Sequence, residues 1–302
     1  MRKIAIAAAA SLLLLSACSD SSKSSKTTEL ESRPADSSPS GESTVPPPTD
    51  ASVPTPSVKI PSALPTSLVV TPLKPGTGDK AANGDTVIVR YVGVRSKDGK
   101  EFDSNYDGEP FSVELGSGSV IKGWDQGLVN AQAGGQLQLD IPSDLAYGAQ
   151  SQGDIIGPNE ALTFVIDVLA VIHPVDPASE PVLVIKPTKV EKVITEELVA
   201  GTGPVANEGQ TIVFHYIFYR GDTGAKLYSS WSGAPATIQL TKGAGGDSSV
   251  DALIEGLVGI KVGGRRQISV PSASAFGGKG DSGLGLPAGT DVVLVADLLA
   301  AY

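Results

Sequence analysis

The side chains that usually carry out acid–base or metal chemistry are scarce in this chain. The histidines are His173 and His215, and neither has another histidine or a cysteine three or four residues along the chain. The single cysteine, Cys18, cannot form an intrachain disulfide. No phosphate-binding loop of the Walker type is present. The sequence therefore predicts neither a metal centre nor another cofactor.

The candidate functional residues are instead apolar and aromatic, and they lie at irregular spacings in the first half of the chain. They include Trp124, one of two tryptophans, and a single embedded acid, Asp103. Each aromatic residue taken alone also fits ordinary core packing. The other members of the set are Tyr91, Phe102, Phe111, Val120, Ile121, Tyr147, Ile156 and Phe164.

A short helix is expected to carry Trp124. Residues 120–128 lie between a Gly-Ser-Gly-Ser turn and a Gly-Gly pair, so a helix that begins near Lys122 has little room. On such a helix, Trp124, Leu128 and Ala131 share one face. The indole is then either the floor of an apolar pocket or a simple core anchor, and this stretch alone leaves both interpretations open.

The chain contains two copies of one domain. A Gly-Thr-Gly triplet at 76–78 recurs at 201–203, and Tyr91 recurs as Tyr216. Further glycines, prolines and turn residues recur in the same order after each triplet. The expected boundaries are 67–173 for the first domain, 174–181 for a Pro-rich linker and 182–302 for the second domain.

Each copy is predicted to have an α+β fold, in which one helix packs against an antiparallel sheet. Runs of β-branched and aromatic residues at 86–94 and 211–219 predict strands. Residues 136–141 alternate polar and apolar side chains and end at Pro142, which predicts a half-buried strand. The apolar run at 162–172 predicts another strand.

The beginning of the chain resembles a bacterial lipoprotein signal. Arg2 and Lys3 precede an apolar stretch at 4–15 that is too short to span a bilayer. Small residues then lead to Cys18, as in a lipobox, which implies removal of a signal peptide at 1–17 and a lipid on the Cys18 thiol. We expect anchoring to the extracytoplasmic face of a bacterial cell membrane. The alternative is an ordinary signal peptide with an incidental cysteine.

A polar segment separates the expected lipid from the first domain. Residues 18–66 are dominated by Ser, Thr and Pro and show no apolar periodicity, so we expect a disordered tether. A protein-binding Pro-rich motif at 45–48 is the alternative. The net charge of −10 argues against a nucleic-acid partner.

The motifs of the first copy resemble those of the FKBP-type peptidyl-prolyl isomerases in type and order. The resemblance implies a curved antiparallel sheet wrapped around one short helix, and an enzyme that interconverts cis and trans prolyl bonds. The motifs are Arg-Tyr-Val-Gly at 90–93, Lys-Glu-Phe-Asp-Ser at 100–104, Pro-Phe at 110–111, Val-Ile-Lys-Gly-Trp at 120–124, Ala-Tyr-Gly at 146–148 and Ile-Ile-Gly-Pro at 155–158.

The resemblance also implies a role for each candidate residue. Trp124 is the pocket floor, Asp103 is the polar group at the edge, and the Ile121 amide and Tyr147 hydroxyl are hydrogen-bond donors. Gln152, where some members have histidine, and Gly157, which replaces a proline, depart from the pattern at the rim and are expected to affect substrate preference. The pocket walls are Tyr91, Phe102, Phe111 and Phe164, and the remaining site residues are Val120 and Ile156.

The expected function is therefore peptidyl-prolyl isomerisation that assists the folding of exported proteins. The expected partners are proline-containing polypeptides and, through the lipid, a membrane, and we expect the protein to be a monomer. A non-catalytic peptide-binding or chaperone module at the cell surface is the alternative.

The second copy keeps the turn residues but loses the expected pocket. Leu253 stands for Trp124, and Phe276 stands for Tyr147, which removes a hydroxyl donor. We expect little isomerase activity here, and we expect Trp231 to refill part of the old pocket edge. The other replacements are Leu227 for Phe102, Tyr228 for Asp103, Ala236 for Phe111, Ser249-Val250 for Val120-Ile121, and Val293 or Leu294 for Phe164.

Overall fold

The computed structural model describes residues 54–243 and 248–302 of the chain. The predicted signal peptide, Cys18 and the tether as far as residue 53 lie outside the described residues. The described part contains two six-stranded antiparallel sheets, each with one α-helix, which confirms the predicted α+β fold. Within these residues no helix is both long enough and apolar enough to cross a membrane.

The first domain places its helix between the fourth and fifth strands. The predicted strands at 136–141 and 162–172 are confirmed with these bounds, and the helix begins at Lys122 as expected. A short 3-10 turn at Ser143–Leu145 follows the fifth strand. The elements are β1 (Val69–Lys74), β2 (Thr86–Arg95), β3 (Glu101–Ser104), β4 (Phe111–Glu114), α1 (Lys122–Gly127), β5 (Gln136–Ile141) and β6 (Leu162–Ile172).

The second domain repeats this order element by element. Its helix is longer than α1, and a 3-10 turn at Phe276–Gly278 again follows the fifth strand of the domain. The elements are β7 (Ile194–Val199), β8 (Thr211–Arg220), β9 (Lys226–Ser229), β10 (Ala236–Gln239), α2 (Ser248–Leu257), β11 (Arg265–Val270) and β12 (Val292–Ala301).

The two sheets have the same topology. The first runs β1-β5-β6-β2, and β2 then pairs with β4 along 86–89 and with β3 along 92–94. The second runs β7-β11-β12-β8, and β8 pairs with both β9 and β10. The longest strands therefore occupy the middle of each sheet, where both edges are hydrogen-bonded.

Strand alternation gives each sheet an inner face, which packs on the helix, and an outer face. In β2, Val87, Val89 and Tyr91 belong to the inner core with Trp124. Val92 lies on the outer face, in a smaller cluster. Successive side chains of a strand point to opposite faces, so one strand serves two separate surfaces.

Two glycines let α1 approach β5 closely. A Cβ atom on Gly123 would lie 2.4 Å from Cγ2 of Ile141, and one on Gly127 would lie 2.7 Å from Cδ2 of Leu139. The residues are four apart and therefore face the same strand. In the second domain, Ala252 stands at the position of Gly123 and Val270 at that of Ile141, and both are buried in one cluster.

An extended segment ahead of the first strand of each sheet lies against the outer face of that sheet. We call these segments the straps, residues 58–60 and 183–185. Val58 packs against the outer-face cluster of the first sheet, and the Lys59 carbonyl accepts a 3.0 Å hydrogen bond from Gln138. In the second domain Ile185 is buried in the corresponding cluster. Part of the predicted tether therefore contacts the first domain, through the Val58 side chain and the Lys59 carbonyl.

We expect Gly123→Ala to lower the free energy of unfolding by about 1–2 kcal/mol, because the clash with Ile141 outweighs the gain in helix propensity. Urea denaturation of the full chain measures this. Gly108→Ala is the matched control, since its nearest neighbour would be 3.9 Å away. Adding Ile141→Val, which imitates the second domain, should restore part of the loss. A Gly123→Ala variant as stable as the parent would contradict the close helix–strand contact.

Candidate active site

Three aromatic rings from different strands surround the Trp124 indole. The ring centroids of Tyr91 on β2 and Phe164 on β6 lie 5.0 Å and 5.2 Å from it, at interplanar angles of 88° and 86°. Phe111 on β4 lies 6.3 Å away. Such edge-to-face contacts are a favoured aromatic geometry and hold the rings in fixed orientations. Trp124 is 4% exposed and Phe111 is 40% exposed, so the group extends from the core to the surface.

Phe102 packs against Phe164 beside Gly93, which has no side chain to keep the two rings apart. The Phe102 ring lies 5.5 Å from that of Phe164, at 87°. A Cβ atom on Gly93 would lie 2.7 Å from the ring of Phe164 and 2.8 Å from the ring of Phe102. The two rings therefore meet in the space that a side chain at position 93 would fill.

A charged group lies at the edge of the aromatic group. The Tyr91 hydroxyl donates a 2.6 Å hydrogen bond to the exposed carboxylate of Asp103. Burial, and then this bond, raise the pKa of Tyr91. Burial and the charge of Asp103 also raise the pKa of Tyr147. Both hydroxyls therefore keep their protons at neutral pH and can act as donors.

Ile121 occupies the N-cap position of α1. Its extended backbone, with φ −60° and ψ 147°, lets its carbonyl accept the first helical bond, from the Trp124 amide at 2.9 Å. The Ile121 amide precedes the helix, so no helical carbonyl is available to it. Asp125 in the first turn accepts bonds from the Gly116 and Gly118 amides, at 3.0 Å and 3.2 Å, and so fixes the preceding turn.

The structure brings all ten predicted site residues together. Trp124, Ile156 and Phe164 are buried members of one cluster. Phe111 contacts it through the rings of Tyr91 and Trp124, and Asp103 through the Tyr91 hydroxyl. The partly buried members are Tyr91, Phe102, Val120, Ile121 and Tyr147. We call this surface the cup.

The cup is apolar, with polar groups at its margin. In the described part of the chain, the buried indole N–H of Trp124 has no hydrogen-bond partner. Neither residues 54–243 nor residues 248–302 contain a group of three His, Cys, Asp or Glu side chains that could hold a metal ion. The arrangement can desolvate an apolar ring and offer donors to nearby carbonyls.

A sequence model described as FKBP-type peptidyl-prolyl cis-trans isomerase matches this chain twice, over residues 78–169 and 203–299. The matches fall on the two sheets and together cover more than half of the chain. The chain belongs to this family. The matches also confirm the resemblance and the tandem arrangement that the sequence motifs indicated.

Relatives match about a third of the chain. An FK506-binding protein of Streptomyces anulatus is 44% identical over 109 residues, which cover 35% of this chain and 88% of that protein. FK506-binding protein 4 of Rhizopus delemar is 43% identical over 107 residues, but the match spans only 28% of its length. A solved peptidyl-prolyl cis-trans isomerase from Pseudomonas syringae pv. tomato is 44% identical, covering 34% of this chain and 74% of that chain, with a TM-score of 0.32.

The second FKBP-type domain has a different inner face. Sheet register resolves the position of Phe164, because Gly93 pairs with Phe164 and the equivalent Phe218 pairs with Leu294. Leu294, and not Val293, therefore replaces Phe164. At this pair of positions, the first domain has glycine on β2 and phenylalanine on β6. The second domain has phenylalanine on the equivalent strand β8 and leucine on β12.

The remaining aromatic residues of this face cluster around Tyr216. Its ring lies 5.2 Å from Phe218 and 5.4 Å from Tyr228. Burial, together with Tyr228, raises the pKa of Tyr216 to about 12. Phe218 and Tyr228 thus lie beside the residue that matches Tyr91, where the first domain has Gly93 and the carboxylate of Asp103.

The expectation that Trp231 refills the pocket edge was wrong. Trp231 is buried on the outer face of the second sheet, in a cluster with Ile185 and Ile217. Its ring lies 4.9 Å from that of His215, whose Nδ1 is 3.0 Å from the Ser230 hydroxyl. His215 is itself buried and therefore belongs to outer-face packing, and this burial lowers its pKa.

Sequence reasoning missed Gly93 as a determinant of the cup. Gly93 belongs to the Arg-Tyr-Val-Gly motif, but its effect depends on two rings that come from other strands. A glycine in the middle of a long strand was the available signal, because it often marks a close approach by another group.

We expect Gly93→Ala to displace the Phe102 and Phe164 rings and to lower the free energy of unfolding by about 1–3 kcal/mol. Nuclear magnetic resonance gives a direct readout, since the chain has one tryptophan indole N–H in each domain. The Trp124 signal should shift, and the Trp231 signal should not. Gly108→Ala serves again as the control. An unmoved Trp124 signal would show that Gly93 does not shape the cup.

Proposed function

We propose that the first domain catalyses cis–trans isomerisation of X-Pro peptide bonds and that the second does not. The observation that supports this most directly is the convergence of Tyr91, Phe111 and Phe164 around Trp124, with Phe102 packed against Phe164. A proline ring is compact and apolar, and the cup presents a surface of the same character. The family of the chain supports the reaction type.

The reaction needs no nucleophile or metal. Rotation about a peptide bond has a barrier of about 18–20 kcal/mol because the planar amide loses its resonance halfway. The twisted amide has less charge separation than the planar one, so an apolar surface favours it relative to water. A thousandfold acceleration requires only about 4 kcal/mol of differential stabilisation.

The hydrogen-bond donors at the margin of the cup add orientation. The Ile121 amide lies outside the helical bonding pattern of α1, and the pKa of Tyr147 is raised, so both are donors at neutral pH. They can hold the carbonyl groups on either side of a bound proline while the amide rotates. Such preorganised donors stabilise changing charge without further reorganisation.

The inner face of the second domain supports a non-catalytic role. Leu253 replaces the indole floor, Phe276 lacks the hydroxyl of Tyr147, and Tyr228 replaces the carboxylate of Asp103. Phe218 adds bulk where Gly93 leaves space. These changes leave an apolar face without the ring arrangement on which the proposed chemistry depends.

In a protease-coupled assay with a proline-containing peptide, we expect Trp124→Leu to lower kcat/KM of the full chain at least about tenfold, which corresponds to ~1.4 kcal/mol. The substitution introduces the residue that the second domain has at this position. Leu253→Ala is the matched control and should change kcat/KM by less than about twofold. Equal losses in both variants would contradict the assignment of activity to the first domain. An inactive parent chain that still binds the peptide would favour a binding module instead.

We propose further that the protein acts on exported polypeptides while attached to a membrane through a lipid on Cys18. The support is the order of a basic start, a short apolar stretch and small residues before the single cysteine. The Ser-, Thr- and Pro-rich segment that follows would hold the domains away from the lipid surface.

Cells that express the full-length chain and are fed a palmitate analogue should incorporate label into the protein and retain it in the membrane fraction. Cys18→Ser should abolish labelling and shift the protein to the soluble or secreted fraction. Ser16→Ala, two residues away, is the control and should keep the label. Labelling that persists in Cys18→Ser would contradict the proposed anchor.

A further inference from the structure

The two domains contact each other through one apolar cluster on the outer faces of their sheets. Ile88 and Ala170 of the first domain and Val213 and Ala300 of the second are all buried in it. Four partly buried residues surround them. We call the cluster the back patch, and its flanking residues are Leu169, Ile172, Leu299 and Tyr302.

The halves of the back patch are equivalent positions of the two repeats. Ile88 pairs with Ala170 across β2 and β6, and Val213 pairs with Ala300 across β8 and β12. Leu169 and Leu299 precede the paired alanines in the same way. The contact therefore has the form of an isologous interface, in which the same surface of each partner meets itself.

The contact leaves both inner faces free. Val87 and Val89 of β2 belong to the inner core, whereas Ile88 between them belongs to the back patch. The cup and the back patch thus lie on opposite faces of the first sheet. A peptide bound at the cup need not touch the second domain.

Charged groups of the first domain also act on Tyr302 of the second. Tyr302, in the second domain, is partly buried, and burial together with the negative charge of Glu109 raises its pKa, while Arg90 lowers it. Glu109 and Arg90 belong to the first domain. The Tyr302 side chain is therefore within the electrostatic reach of the first domain, as a docked pair requires.

We propose that the second domain is a buttress for the first: by covering the back patch, it makes the two domains unfold as one cooperative unit. Without this cover, Ile88, Leu169, Ala170 and Ile172 would form an exposed apolar stripe on the outer face. Such a stripe on a sheet destabilises a free domain and promotes association. The role requires only the outer face of the second domain, so it is independent of the loss of the cup.

The full chain carries its own reporters for this proposal, because Trp124 lies in the first core and Trp231 in the second domain. A chain with Trp231→Phe reports unfolding of the first domain, and a chain with Trp124→Phe reports the second. Thermal unfolding of each, followed by tryptophan fluorescence, gives one midpoint per domain. The midpoint difference between the two chains without further changes is the baseline.

We expect Ala300→Glu to lower the midpoint reported by Trp124 by about 5 °C or more, although the substitution is in the other domain. Ala170→Glu should lower the midpoint reported by Trp231 in the same way, as the equivalence of the two halves requires. The control is Val184→Glu, at a position that is 91% exposed, and it should leave the Trp124 midpoint unchanged.

A Trp124 midpoint that Ala300→Glu leaves unchanged would overturn the proposal. Unfolding of the second domain by Ala300→Glu would not rescue it, since loss of a buttress must still lower the Trp124 midpoint. In the chain with both substitutions, the Trp124 midpoint should be no lower than in the Ala170→Glu chain, because the contact is already lost. An additional drop about equal to the Ala300→Glu effect would show two independent defects and would also overturn the proposal.

Discussion

The shape of the candidate site depends on how closely one short helix approaches one strand. Gly123 and Gly127 place the backbone of α1 against Ile141 and Leu139, where any side chain would clash. Trp124 follows the first of these glycines, so the same approach sets the height of the indole beneath the rings of β2, β4 and β6. Because the core is closely packed, a shift of the α1 backbone would also shift the indole. The position of Trp124 in the cup therefore depends on a backbone contact between α1 and β5.

Much of the fold followed from local patterns, because strands such as 136–141 and 162–172 show their periodicity and their ends in the sequence. Trp124 is 4% exposed, as a core anchor would be, and its role as the floor of a binding pocket stays a prediction. The role of Gly93 in shaping the cup could not be predicted from the residues next to it in the sequence. Its role exists only when β3 and β6 bring Phe102 and Phe164 over it.

The position of Trp231 shows that sequence spacing assigns a side chain to one face of a sheet only within a strand. Alternation assigns faces inside a strand, but Trp231 lies just beyond β9, where the chain turns and passes under the outer face. The straps were missed for a related reason. Residues 58–60 form no strand and lie in a segment rich in Ser, Thr and Pro, so only the outer face of the sheet shows why Val58 packs there. Both cases depend on a surface that distant residues create.

Strand alternation also explains how the second domain can differ so much on one side alone. Along β8, Tyr216 and Phe218 belong to the inner core, while Val213 contributes to the back patch, just as Tyr91 and Ile88 divide β2 between two faces. Replacements on the inner face therefore leave the register of β8 and β12 intact, and that register alone positions the outer contact. Substitutions on the inner face of the second sheet can therefore leave its outer-face contact with the first domain unchanged. The two surfaces share a backbone but no side chains.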